Sequence, residues 1–285
     1  MTLPSAASGS AYCAQNYQNA SSETYVVTGP SSSLPIQASA GTINGYAVIN
    51  KFGRSTDVDN GVDTDVWDRA NAASQQVVWV APLATRKHNI TSTSNDDDAA
   101  SIGAKTIQVY GLPTWDTAEV SEVISLDGTT AVETVNSYVI IHRMKVLTWG
   151  STGPNVGVIS ATALTDGSIT AQILALKGQT LMAIYGVPST QCLYLTNYYA
   201  SFNTLVASAA RIDVEFCVNP IPDVITTACL VKNTQAVISV GSSSFQHNWL
   251  PYYKVAGPAI IRIHGTGSAN GLSLSAGFDG YLVDN

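Results

Sequence analysis

Turn signals recur roughly every 8–12 residues along most of this chain, with period-two alternation of polar and apolar residues between them. That spacing leaves little room for helices and suits short strands folded back on one another. Lys105–Tyr110 alternates cleanly. Glu119–Leu126 continues the pattern and breaks at Asp127-Gly128, a dipeptide whose backbone freedom suits a hairpin turn. Val132–Val135 and Tyr138–Trp149 supply returning strands, followed by Val156–Ala161 and a turn at Asp166-Gly167. Beyond it, Ile169–Leu176, Thr180–Val187, Gln191–Tyr199, Arg211–Val218, Ile225–Lys232, Ala236–Val240, Ile260–His264 and Phe278–Val283 read as strands, as does Val77–Val80 earlier. One helix is expected, over Asp65–Gln76, with Asp65 as its cap. The fold class is therefore all-β: an extended N-terminal arm followed by two β-sandwich or jelly-roll-like domains. The arm covers residues 1–48, a β-sandwich domain 49–163 and a jelly-roll-like domain 164–285, divided near Asp166-Gly167.

The arm stands apart in composition. Its only charged residue is Glu23, and the first basic residue of the chain is Lys51. Tyr12, Tyr17, Tyr25 and Tyr46 are spaced among Ser, Thr, Ala, Gly, Asn and Gln. A phosphate-binding arm needs Lys and Arg, and a secretory leader needs a charged start and a longer apolar stretch. An extended segment that lays these tyrosines on another protein, or adds a strand to its sheet edge, is the expected use.

Charged residues make up only 12% of the 285-residue chain, and the net charge is −7. The surface must then be largely neutral and polar, which lowers the desolvation cost of broad protein contacts. The acidic balance argues against a nucleic-acid or anionic-membrane partner, and the apolar runs are shorter than the ~20 residues of a membrane-spanning helix. Cys13, Cys192, Cys217 and Cys229 show no CxxC spacing. They read as free buried thiols rather than as a zinc knuckle or disulfides.

Chemistry-bearing patterns are few. Asp57, Asp59, Asp63 and Asp65 stand at alternate positions around Gly61. Carboxylates so spaced on a tight loop suit Ca²⁺, with Asp68 at the twelfth place, although the glycine position departs from an EF-hand. The other reading is a polar turn that caps the following segment. If a cation binds anywhere, these four aspartates are expected to hold it. Asn95–Asp98 reads as a solvated acidic tip. His88, His142, His247 and His264 lie in no HExxH pattern, and no GxSxG or phosphate-binding glycine loop is present, so no catalytic residue is assigned. His142 and His264 lie within alternating strands and are expected to be satisfied sheet residues.

Several stretches resemble a group of tailed-bacteriophage virion proteins common in marine phages. They are Asn50–Arg54, Thr56–Asp59, Asp65–Asp68, Gly103–Leu112, Leu126–Thr130, Gly178–Tyr185 and Ser275–Asp279. The resemblance spans residues 50–285 and implies a structural virion component, not an enzyme, assembled in the host cytoplasm. Its partners would be the major capsid protein or other virion subunits, with further copies of itself in a homo-oligomer. A capsid decoration (cement) protein that clamps neighbouring subunits through its arm is the expected role. A neck, tail or fibre-attachment protein is the alternative. A carbohydrate-binding adhesion module, stacking sugars on Tyr194, Tyr198, Tyr199, Trp249, Tyr252 and Tyr253, is the alternative of another class.

Overall fold

The computed structural model of the protein describes residues 12–18, 24–30, 34–69, 78–203, 209–224, 228–240 and 243–285. The chain separates into an N-terminal unit, Met1–Val48, and a larger unit, Ile49–Asn285. In the first, β1 (Tyr12–Gln18) and β2 (Thr24–Pro30) pair antiparallel, Tyr17 opposite Tyr25 and Tyr12 opposite Pro30, and the short helix α1 (Leu34–Ser39) follows. Within the expected extended arm the chain thus folds back as a hairpin. The strand-forming run Thr24–Thr28 finds its partner within the arm itself, so one edge of each strand is already satisfied.

The larger unit is built from strands. In chain order they are β3 (Tyr46–Val58, entered from the first unit), β4 (Asp63–Asp65), β5 (His88–Ser92), β6 (Ala104–Leu112), β7 (Val120–Ser125), β8 (Val132–Glu133), β9 (Ile140–Trp149), β10 (Ile159–Ala163) and β11 (Ile169–Ile173). Then come β12 (Ile184–Val187), β13 (Gln191–Phe202), β14 (Arg211–Asn219), β15 (Leu230–Ile238), β16 (Ser244–Ala256), β17 (Ala259–Gly267) and β18 (Leu272–Asp284). The all-β expectation is met. The helix expected over Asp65–Gln76 is not formed where the chain is described: Asp65 ends β4, and Trp67 makes an antiparallel bridge to Met182. Residues 70–77 lie outside the described residues. Among the described residues no helix is long and apolar enough to cross a membrane.

Two sheets enclose the first core. One has the order β16-β13-β18-β3, the other β12-β17-β14-β15 with β4 also paired to β17. Leu193, Tyr198 and Phe278 from the first sheet meet Ile212, Phe216 and Ile263 from the second. A second core lies among the sheets β11-β10-β5-β8 and β7-β6-β9, filled by Trp79, Ile90, Ile107, Tyr138, Ile141 and Ile159. The chain passes from the first core to the second between Val66 and Trp67, and returns around Met182 and Ala183. The boundary expected at residue 163 is therefore displaced. β11 belongs with β10 in the second core, while β3 and β4 close the sheets of the first. The second core is an insertion between β4 and β12. Turn spacing marks strand ends but carries no information about which core a strand joins.

Strands β12 and β17 are covered on both faces. Tyr185, Ile261 and Ile263 enter the first core, while Ile184 and Ile260 enter the second. This explains the run Ala259-Ile-Ile-Arg-Ile263, which lacks the alternation of a half-exposed strand. Gly186 on β12 permits the close approach: a Cβ there would lie 2.8 Å from Ile140 Cγ2 and 3.1 Å from Leu112 Cδ1.

Inside the insertion, the expected solvated tip Asn95–Asp98 contains a fully buried carboxylate. Asp97 Oδ1 accepts from the backbone N–H of Ala104 (2.9 Å) and Val156 (2.8 Å), and Oδ2 accepts from Ser92 Oγ (2.6 Å) and Gly157 N–H (2.7 Å). It joins the end of β5, the start of β6 and the loop preceding β10. Asp97→Asn turns an amide N–H₂ toward two of these donors. Charged hydrogen bonds contribute about 1.5–3 kcal/mol each, so the variant is expected to lose roughly 3 kcal/mol or more in urea unfolding of the full chain. A loss under about 1 kcal/mol would refute the hub role.

Candidate functional site

Three places in the larger unit concentrate polar chemistry or exposed apolar surface. The first lies where the insertion covers the β12–β17 sheet. Residues two apart on a strand share a face, so Asp63 and Asp65 on β4, Glu215 and Cys217 on β14, and Arg262 and His264 on β17 gather on this outer face. Asp65 is buried. Its Oδ2 accepts from Trp79 N–H (2.7 Å) and from Arg262 Nη1 (3.1 Å). Burial raises its pKa, and the Arg262 charge opposes that rise. A cavity of about 120 Å³ is lined by Asp63, Asp65, Val78, Cys229, Arg262 and His264. Glu215 Oε2 accepts from His264 Nε2 at 2.8 Å.

The structure does not bring the four expected cation ligands to one point. Asp63 and Asp65 share the cavity, but Asp63 also accepts from Thr266 Oγ1 (2.6 Å). Asp59 accepts from Gly271 N–H (2.9 Å), and Asp57 faces Arg69 (3.7 Å). The strand β4 separates them because it pairs with β17 instead of remaining a loop. Among the described residues, the one group of three or more His, Cys, Asp or Glu whose ligand atoms lie within 4.8 Å of one another is Cys217, Cys229 and His264. Cys217 and Cys229 form a disulfide with their Cα atoms 5.4 Å apart, which corrects the expectation of free thiols at these positions. Cys217 pairs with Val231 in the β14–β15 register, and that pairing brings the preceding Cys229 alongside. Cys192 is free and buried, as expected, and the side chain of Cys13 lies outside the described residues.

The second place is a charged cluster between the cores. Lys51 Nζ on β3 donates to the backbone carbonyl of His142 on β9. His142 Nε2 donates to Glu119 Oε2, and its ring lies 4.5 Å from that of Tyr185. Arg143 Nη2 donates to Asn50 O at 2.6 Å. Burial pulls Lys51 well below the ordinary lysine range, and the neighbouring Arg143 adds to the effect. Burial also lowers His142, against the pull of Glu119. Lys51 and His142 are only 4% and 1% exposed, which suits holding two modules together better than meeting a substrate.

The third place is an edge. Among the described residues β15 pairs only with β14, and β16 only with β13, so two consecutive strands end their respective sheets. Along β15 only Val237 is buried, and along β16 only Val255. Opposite β16 the register breaks at Thr196: Leu195 faces Tyr253, and Asn197 faces Asn248. Residues 249–252 therefore bulge outward. Trp249 turns back against Tyr198, His247 and Tyr253, whereas Leu250 is 91% exposed and Tyr252 52% exposed. Leu230, Val231, Ile238 and Val240 extend the apolar surface. Of the expected arm anchors, Tyr46 is exposed at the start of β3, and the side chains of Tyr12, Tyr17 and Tyr25 lie outside the described residues. The edge was legible in sequence only as the alternation Phe245-Gln-His-Asn-Trp249, which shows a strand but not its missing neighbour.

No protein-family model matches the chain, and no curated protein or solved structure matches it.

One buried histidine sets a pH dependence. His88 Nδ1 donates to Arg86 O (3.1 Å), and its Nε2 is buried without a partner among the described residues. Burial lowers its pKa from 6.5 to about 4. A depressed histidine stays neutral when folded while the unfolded chain takes up the proton, so stability falls as pH drops from 6.5 toward 4. The contribution is about 3 kcal/mol across that window. Urea unfolding at pH 7 and pH 4 should show His88→Leu losing about 3 kcal/mol less than the wild type over the same interval. Equal pH dependence in both proteins would remove His88 as the cause.

Proposed function

We propose that this chain is a structural component of a tailed-bacteriophage virion that self-associates through the β15–β16 edge, most simply as a capsid decoration protein. The carrying observation is the asymmetry of its strand edges. The β3 and β12 side of the first core is occupied by the chain's own insertion, through Arg54 N–H to Leu181 O (3.3 Å), Arg143 to Asn50, and Ile184 in the second core. Within the larger unit, no described strand pairs with the outer edge of β15 or β16. Long uncovered edges with exposed apolar residues are a hazard for a monomer and an asset for an assembly. The low charge of the chain and its sequence resemblance support the same reading.

The strand order supports the finer fold assignment. Along the chain, β3, β13, β16 and β18 enter one sheet, while β12, β14, β15 and β17 enter the other. We read this as an eight-stranded jelly roll that carries the insertion as a second β-sandwich. The jelly roll is thus assembled from both ends of the larger unit. The arm remains the proposed tether to neighbouring subunits, acting as a hairpin.

A carbohydrate-binding role has one specific observation in its favour. Tyr194 and Tyr281 are cross-strand partners on the sheet holding β16, and Tyr252 lies 6.2 Å from Tyr281. These rings are free of the aromatic core that occupies Tyr198 and Trp249. Glycan-array binding lost in Tyr252→Ala, with particle attachment unchanged, would favour that role.

The assembly reading is tested on the full chain. Native mass spectrometry and light scattering should find an oligomer, and Leu250→Asp should shift it toward monomer. Leu250 is 91% exposed, so circular dichroism and melting temperature should stay near wild type. Co-sedimentation with particles lacking this component should fall at least ten-fold for the variant. A monomeric wild type that fails to sediment with such particles would overturn the proposal. Electron microscopy of tagged protein on particles distinguishes capsid from neck or tail placement.

A further inference from the structure

We propose that Cys217, Cys229 and His264 form a zinc site that replaces their disulfide when the two sulfurs are reduced. The inference is independent of the virion reading. Three separate segments supply the donors: β14, the residues preceding β15, and β17. Their ligand atoms already lie within 4.8 Å of one another. Two thiolates and an imidazole form a donor set suited to Zn²⁺. With Zn–S near 2.3 Å and Zn–N near 2.0–2.1 Å, tetrahedral donors sit about 3.5–3.8 Å apart. Cys217 Sγ is 3.7 Å from His264 Nδ1 and 3.6 Å from Nε2.

The second observation is the orientation of the imidazole. A carboxylate only accepts, so the 2.8 Å contact with Glu215 Oε2 places the proton on His264 Nε2. Nδ1, 3.7 Å from Cys217 Sγ, then carries the free lone pair. A metal-bound histidine held by a carboxylate at its other nitrogen is the usual supporting arrangement. The third observation is space. The 120 Å³ cavity is bordered by Cys229 and His264, with Asp63 and Asp65 on its wall, so the fourth coordination position can be filled by water. Asp65 Oδ1 is buried on that wall with no hydrogen-bond partner among the described residues, and a metal-bound water would supply a donor there. The positive charge facing the cavity, Arg262, is already paired with Asp65 Oδ2.

The chemistry balances in two steps. A dithiol or phosphine reductant delivers two electrons to the Cys217–Cys229 bond, and each sulfur takes up one proton. Zn²⁺ then displaces both thiol protons to the solvent, forming two Zn–S bonds and one Zn–N bond. The sulfurs separate to about 3.8 Å in the process. The link between β14 and the start of β15 is kept in either state, covalently or through the metal.

The test uses the full chain, reduced anaerobically with tris(2-carboxyethyl)phosphine and desalted. Titration with Co²⁺ should give one equivalent bound per chain, with a sulfur-to-cobalt charge-transfer band and the visible spectrum of a tetrahedral site. Zn²⁺ should displace it. The oxidised chain should give no such band. Cys229→Ser and His264→Ala should each abolish the tetrahedral spectrum, while Cys192→Ser should leave it intact. Glu215→Gln, which keeps all three donors, should weaken Zn²⁺ binding about ten-fold or more in chelator competition. This variant decides the matter if the donor substitutions fail to fold. Absence of a thiolate band in the reduced wild type, or a band that survives both Cys229→Ser and His264→Ala, would overturn the proposal.

Discussion

The organisation of the larger unit depends on the double burial of one sheet. β12 and β17 present Tyr185, Ile261 and Ile263 to one core and Ile184 and Ile260 to the other. A strand with one solvated face can tolerate polar substitutions there, but these strands have no such face. Polar groups that do enter the layer must therefore arrive with partners. Arg262 comes with Asp65. Buried ion pairs of this kind are poor sources of net stability, because desolvation offsets most of the attraction. Their effect is on register: Arg262 reaches Asp65 only when β4 and β17 are correctly aligned.

The same layer explains why the two modules are asymmetric. One side of the first core is closed by its own insertion, so among the described residues the open sheet edges of that core are β15 and β16. The bulge at residues 249–252 makes that edge uneven rather than flat. Bulges discourage indiscriminate edge-to-edge pairing, so an interface built there selects partners by shape as well as by backbone complementarity.

Much of this architecture was readable residue by residue. The alternation of Lys105–Tyr110 and Arg211–Val218 marks β6 and β14, and Asp127-Gly128 and Asp166-Gly167 mark turns in which the glycines adopt φ of 57° and 71°. These signals are local, and so they survive without knowledge of the fold. What was hidden is non-local. Nothing around Asp166 reveals that β11 stays with the earlier strands, because partner choice is decided across the sheet. The aspartates at 57, 59, 63 and 65 look like one loop in sequence, yet the pairing of β4 with β17 sends them to different neighbours. Cys217 and Cys229 carry no recognisable spacing, since the β14–β15 register brings them together. The acidic run Asn95–Asp98 illustrates the converse: three adjacent aspartates resemble a solvated tip, and only the donors arriving from residues 104, 156 and 157 show Asp97 to be internal.

The nesting of one module inside the other also imposes an order on biosynthesis. β3 finds its partner in β18, and β4 in β17, across roughly two hundred residues of intervening chain. The inserted module has nearly all of its residues in hand once the ribosome passes Ile184, whereas the outer module must wait for its final strand. Contacts of such long sequence separation form slowly, because the loop entropy is lost before the sheet gains anything in return. The insertion, folding earlier, shortens that loop by holding the departure and return points of the chain close together. The β3–β18 and β4–β17 seams thus close last, after the shorter-range pairings β14–β15 and β13–β16 are available.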